Sequence, residues 1–417
     1  MKMLILLILL SLPAFAQDDK GHSLADVQKV VNDTLASKWY ERIQLRGYAH
    51  VRYNRFMESN DKYLCSQCDA SIGKNQGFFF RRARLTFYGD VTDRVFIYIQ
   101  PDYSQSGTNG AIANQQNYLN IRDAYFDYAL DEAKEFRIRT GLSKVPFGFD
   151  NLQSSGNRGA LDRSDAMNMA VPNERDTGVF FMYAPYEMRK LFKELTSNNL
   201  KGSGDYGMIA IGAYNGQSMN RPEQNNDLHR VIRVTYPWKT QSGQFFEASL
   251  QAYEGKFDVV QDNNIQNDGT KRNYYDARQG ASFIMYPQPF GFQAEYNIGT
   301  GPEFDPQKGA AGRTSNKNLK GGYAQVMYQH YIGNHRFFPY FRYQEYSGGR
   351  KIDGGTAGSS PARAFTSECE IGTEWQPNPG FELTAAYAKG TRLRQSTAAD
   401  KLSEQGSYLR LQAQFNY

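Results

Sequence analysis

A repeat of two runs through nearly the whole of this chain, and it restricts the possible folds more than any other feature. From residue 40 onward, segments of about ten residues alternate apolar and polar side chains, each closed by a cluster of turn-forming residues. In the last segment Leu409, Leu411, Ala413, Phe415 and Tyr417 share one face, and Tyr408, Arg410, Gln412, Gln414 and Asn416 the other. In the first, Ile43, Leu45, Gly47, Ala49, Val51 and Tyr53 oppose Gln44, Arg46, Tyr48, His50, Arg52 and Asn54. Successive side chains of a β-strand point to opposite sides of a sheet, so each segment reads as a strand with one polar and one apolar face. Sixteen strands are predicted, at 42–56, 77–91, 94–105, 118–130, 135–148, 176–187, 206–216, 226–238, 245–258, 274–288, 291–304, 319–332, 336–349, 362–377, 381–392 and 406–417.

The connections alternate in length. Those after odd-numbered strands are long, as at 57–76, 106–117, 149–175 and 259–273, whereas most of those after even-numbered strands are tight, as at Thr92-Asp93, Gly333-Asn334-His335 and Pro377-Asn378-Pro379-Gly380. One departs from the rule: 188–205 is long, and Met188 to Leu195 suits a helical turn or two. An even strand count with short turns at one end and long loops at the other is the pattern of an outer-membrane barrel. A soluble sandwich has the same period, so aromatic placement has to discriminate. The chain has 29 Tyr and 27 Phe but only three Trp. The even strands end with Tyr88, Tyr128, Tyr183 and Tyr186, Trp238, Tyr286, Tyr331, Trp375 and Tyr417, and Trp39 precedes the first strand, so every Trp falls at one predicted rim. Membrane barrels place amphipathic rings there because the body is apolar and the polar tip stays wet. The expected fold is all-β: a transmembrane antiparallel β-barrel of 16 strands over residues 40–417, with short periplasmic turns and long extracellular loops. Closure leaves no unpaired strand edge in lipid, and sixteen strands enclose more space than their side chains fill, which leaves an aqueous channel.

The first residues point to export. Lys2, the apolar run Met3 to Leu10 and the small-x-small Ala14-Phe15-Ala16 form a signal peptide, 1–16. The apolar run is well short of the roughly 20 residues a spanning helix needs. Residues 17–39 are expected to form a short periplasmic helical segment, with Leu24, Val27, Val31 and Leu35 as its stripe behind Ser23 as N-cap. A formal charge of +5 is too mild to imply nucleic acid. Cys65 and Cys68 read as a loop disulfide, since a zinc site would need a second ligand pair. The five His are scattered, and His50, His229, His330 and His335 have no nucleophile motif nearby, so neither metal, cofactor nor enzymatic activity is expected.

Four motifs carry a resemblance: Phe80-Arg81-Arg82-Ala83-Arg84-Leu85, Ile121-Arg122-Asp123-Ala124-Tyr125-Phe126-Asp127-Tyr128, Gly141-Leu142-Ser143-Lys144-Val145-Pro146-Phe147-Gly148, and Glu174-Arg175-Asp176-Thr177-Gly178. In this order and spacing the sequence resembles the phosphate-selective porin O and P family. The resemblance implies a homotrimeric porin in the outer membrane of a Gram-negative bacterium, in contact with lipid and lipopolysaccharide, whose basic inner wall conducts small anions such as phosphate. It also implies that the longest loop, 149–175, folds inward as a constriction. By strand phase the inward cations include Arg46, Arg52, Arg82, Arg84, Arg137, Arg139, Arg233, Arg342 and Arg410, and the inward acids Glu247, Glu295, Glu370, Glu374 and Glu382. Arg81 falls in the outward phase, towards lipid phosphates. Arginine suits an anion path because its planar fork binds oxyanions bidentately and stays charged. The candidate pore residues are Arg82, Arg84 and Lys144, then Arg158, Arg163 and Arg175, with Arg139 and Arg46. Facing basic and acidic walls also occur in general diffusion channels, and abundant aromatics suit a sugar-selective one.

Overall fold

The computed structural model describes residues 38–57, 77–105, 118–259, 273–308, 313–351, 361–395 and 402–417. The signal peptide, nearly all of the helical segment 17–39 and the Cys65–Cys68 pair lie outside the described residues. The chain divides into Met1–Arg42 and Ile43–Tyr417. Of the first unit only the end is described, where Trp39–Arg42 makes a 3-10 turn.

The second unit is one antiparallel sheet closed on itself. Its strands are β1 (Gln44–Phe56), β2 (Gly77–Asp90), β3 (Val95–Ser104), β4 (Tyr118–Ala129), β5 (Phe136–Lys144), β6 (Arg175–Tyr183), β7 (Ile209–Tyr214), β8 (His229–Lys239), β9 (Phe245–Asp258), β10 (Asn273–Met285), β11 (Phe290–Asp305), β12 (Arg313–Tyr328), β13 (His335–Arg350), β14 (Ala362–Asn378), β15 (Phe381–Gln395) and β16 (Leu402–Asn416). A three-residue piece, His330–Ile332, pairs with β13 as β12 does and continues β12 past Gln329. The barrel therefore has sixteen strands, joined where β1 pairs with both β2 and β16. At this seam the backbones of Gly47 and Tyr417 exchange two hydrogen bonds. A Cβ on Gly47 would stand 2.3 Å from the Tyr417 ring, so the closure needs glycine there.

Alternation decides which side chains face lipid. Leu45, Phe78, Leu250 and Ile371 are exposed on the outside, while Arg52, Arg84, Arg233, Glu247 and Glu295 on the opposite faces are buried inside. The rim is less uniform than the sequence suggested. Tyr128, Tyr331 and Tyr417 are exposed, but Tyr286 is buried inside the barrel, where its hydroxyl donates to Glu247 at 2.6 Å, and Tyr88 lines the lumen. Both stand on the inward phase of their strands, and phase outweighs position along the strand.

Two irregularities add arginines to the lumen. The β1–β2 register shifts at His50/Val51, and Arg81, expected to face lipid, instead approaches Asp162 inside the barrel at 3.7 Å. The β3–β4 register shifts between Gln100 and Pro101, where proline cannot donate to the ladder, and both Arg122 and Asp123 are buried.

Candidate functional site

The predicted fifth strand ends early, at Lys144, because Pro146 and then Gly148 (φ +80°) turn the chain off the wall. Residues 145–174 then lie inside the barrel, with short helices α1 (Phe149–Leu152) and α2 (Asp165–Ala170). The N–H groups of Phe149 and Asp150 both donate to the Glu295 carboxylate of β11 at 2.6 Å. Asp162 takes Arg52 at 3.0 Å and Arg410 at 2.5 Å, Asp150 takes Arg342 at 3.0 Å, and Asp165 takes Arg392 at 2.9 Å. Burial alone would raise the Asp162 carboxyl, but Arg52, Arg410 and Arg81 outweigh it and hold it well below the usual carboxylate range. Asp150 and Glu174 are likewise held low, against burial, by Arg342 with Arg158 and by Arg163 with Arg175.

Apolar packing reinforces these pairs. Ala160 and Leu161 pack with Met327, Phe338 and Tyr340, and Ala166, Met167 and Met169 pack with Tyr323 and Tyr346. The loop thus buries both charge and apolar surface against the wall, where free water had been expected.

A second segment enters from the periplasmic end. The departing connection after β6 forms α3 (Tyr186–Ser197), which buries Phe192 and Leu195. Beyond it, Lys201 reaches the opposite wall and bonds Glu374 at 2.8 Å, while Arg336 donates to the Asn199 carbonyl at 2.7 Å. It also meets the first loop: Gln153 donates to the Lys201 carbonyl at 2.5 Å, Asn157 to that of Gly202 at 3.0 Å, and Leu195 and Leu200 pack with Phe149 and Tyr286.

The basic residues gather where the loop meets β2 to β6. Arg84 bonds Asp102 at 3.1 Å and the hydroxyls of Tyr48 and Ser155 at 2.8 and 3.0 Å. Arg175 grips Asp123 through two 2.9 Å bonds and also pairs with Glu174. Arg163 pairs with Glu174, Arg122 lies between Glu174 and Asp102, and Arg158 is 3.3 Å from Asp150. Lys144 donates to the carbonyls of Leu152 and Gln153 at 2.9 and 2.7 Å. Arg82 is buried, with no carboxylate at ion-pair distance among the described residues. Seven cations (Arg82, Arg84, Arg122, Lys144, Arg158, Arg163, Arg175) thus surround four carboxylates (Asp102, Asp123, Asp150, Glu174), an excess of three.

Below this cluster a cavity of about 800 Å³ runs to the periplasmic turns at Asp90, Arg94 and Lys134. Lys144, Arg84, Arg175, Arg139 and Arg46 all line it; Arg82, Arg158 and Arg163 do not. Arg139 is tied to Asp127 by bonds of 2.7 and 2.8 Å, and Arg46 is exposed over the Tyr88 ring at 4.6 Å. Sequence reasoning missed Tyr98, Tyr125 and Tyr206 on the same cavity, although the inward phase of Gln100 and Asp127 already implied the first two.

The profile of the family described as phosphate-selective porin O and P matches residues 60–417. The chain belongs to that family. This porin also shares its fold with solved outer-membrane proteins. The outer membrane channel DcaP of Acinetobacter baumannii is 14% identical with a TM-score of 0.50, over 90% of this chain and 97% of that one. Salmonella typhi OmpF, solved in complex with daunomycin, is 11% identical (TM-score 0.52, over 90% and 97%). The trimer form of Vibrio cholerae OmpT is 9% identical (0.50, over 90% and 99%). No curated protein matches the sequence significantly. Family and fold together make the protein an outer-membrane porin.

Proposed function

We propose that this porin passes small anions, phosphate among them, by passive diffusion. The observation that carries the reading is the excess of three cations where the inward loop meets β2 to β6. A local positive potential concentrates anions, and several weak sites in series let them leave again. Lys144 and Arg84, which line the cavity, are assigned to meet the anion, and Arg46 stands at the mouth. Arg82, buried behind the cavity wall, and Arg139, Arg158, Arg163 and Arg175, committed to carboxylates, set the field. The family description favours phosphate as solute. The trimer form of an OmpT with this fold favours a homotrimer, bedded in outer-membrane lipid and lipopolysaccharide after export on the 1–16 signal peptide.

Reversal potentials of the purified protein in planar bilayers under a KCl gradient test the proposal. Anion preference is expected, and phosphate titrated against chloride should lower the chloride current. Reversing both charges in Arg82→Glu with Arg84→Glu should cut the preference severalfold. A wild-type channel that prefers potassium, or has none, overturns the reading.

A further inference from the structure

We propose that the periplasmic cavity selects oxyanions that carry a ring, aromatic or sugar, over oxyanions of the same head group without one. The inference rests on the anion reading and names the solute class within it. Tyr88, Tyr98 and Tyr125 occupy facing positions on β2, β3 and β4, as the strand registers pair Tyr88 with Tyr98 and Tyr98 with Tyr125. Their ring centroids are 6.3 and 5.2 Å apart, and the Tyr98 and Tyr125 rings are nearly parallel at 11°. Guanidinium groups bracket the row: Arg46 lies 4.6 Å from the Tyr88 ring, and Arg139 lies 4.0 Å from Tyr125 and 5.3 Å from Tyr206.

All four tyrosines line the cavity and keep part of their surface open to it. Rings needed only for packing would be covered, and rings needed only as a membrane girdle would face lipid. These do neither. Arg84, Lys144 and Arg175 line the inner end of the same cavity. A solute there can lay a ring against the tyrosine surface that this stack leaves open while its negative group meets the cations, two interactions that reinforce each other. Acetate and inorganic phosphate can make only the second. A carboxylate on an aromatic ring and a phosphate on a sugar ring share this chemistry.

Bi-ionic reversal potentials in planar bilayers provide the test, with potassium salts of benzoate against acetate and of glucose 6-phosphate against phosphate. Free diffusion through a narrow pore favours the smaller member of each pair. The wild type should instead pass at least one ring-bearing member more readily than its ringless counterpart, and that anion should slow the chloride current in a saturable way. The pair that shows the effect identifies the ring as aromatic or sugar. Replacing the rings in Tyr98→Leu with Tyr125→Leu should lower that ratio about fivefold, the size of one lost ring contact. Tyr98→Phe, which keeps the ring, should retain it. Size-ordered permeation in both pairs, with no saturable block by either ring-bearing anion in the wild type, overturns the inference even if the leucine variant fails to assemble. Under a KCl gradient, potassium preference would instead remove the anion reading beneath it, so the two failures are read separately.

Discussion

The two sides of the inward loop differ sharply. Against β13, β14 and β16 it leaves a gap of about 10 Å³ bounded by Asp162, Arg342, Glu370 and Arg410, room for one water, whereas beside β1 to β6 it adjoins a cavity of about 800 Å³. Both walls are built from strands with inward arginines, so residue type alone does not separate them. The loop's carboxylates do. Asp150, Asp162 and Asp165 are matched by Arg342, Arg410 and Arg392 from the far wall, with Met327, Phe338 and Tyr323 filling in between. On the near wall cations outnumber carboxylates and the packing stays open. Charge matching closes one half of the lumen, and in the other half, where cations exceed carboxylates, a cavity stays open.

The largest expected effect breaks this seal. Asp162→Asn removes the carboxylate shared by Arg52 and Arg410, both buried, and removing one member of a buried pair costs about 3 kcal/mol or more. The loop should loosen from the far wall, raising single-channel conductance and exposing Arg158 and Arg163 to trypsin. Wild-type conductance with full protection would show that the two halves are not divided by these pairs.

A smaller effect is expected at the periplasmic segment, which Lys201 holds to Glu374. Lys201→Met or Glu374→Gln alone should lower stability by about 2 kcal/mol, read as a lower melting temperature in detergent, because each leaves its partner buried and uncompensated. The double replacement Lys201→Met with Glu374→Leu should recover most of the loss. If single and double variants melt alike, the pair does not latch the segment.

Much of the barrel was legible because period-two alternation is a local property. All sixteen strands appear in their predicted order and overlap their predicted places, the largest offset being the start of β12 six residues early at Arg313, and the helical character of Met188 to Leu195 appears within α3. Strand phase also sorted Arg52, Arg233, Arg410, Glu247 and Glu295 correctly to the inside. What escaped depends on contacts between distant residues. That Asp162 would sit between Arg52 and Arg410, 110 and 248 positions away, leaves no mark on the local pattern. Arg81 was misplaced because a register shift alters phase without altering composition. The inward course of residues 198–207 was likewise illegible, since Lys201 only gains meaning from Glu374 across the lumen.

The smallest effect separates the two causes of the seal, ion pairing and apolar packing. Asp150, Asp162 and Glu174 are held below their usual range by neighbouring arginines despite burial. A carboxyl depressed in the folded state adds stability that is fully present above its unfolded value, near 4, and is lost only as pH falls through the lower folded value. Conductance and trypsin protection should therefore stay level from pH 7 to about pH 4.5, and the loop should begin to loosen only below pH 4. Loosening already near pH 6 that persists in Glu295→Gln, which removes the β11 carboxylate bonded to the loop, would mean that the arginines do not hold these carboxylates ionised. The difference between the halves would then rest on Phe338, Tyr323 and their apolar neighbours, and Asp162→Asn should lose its effect on conductance.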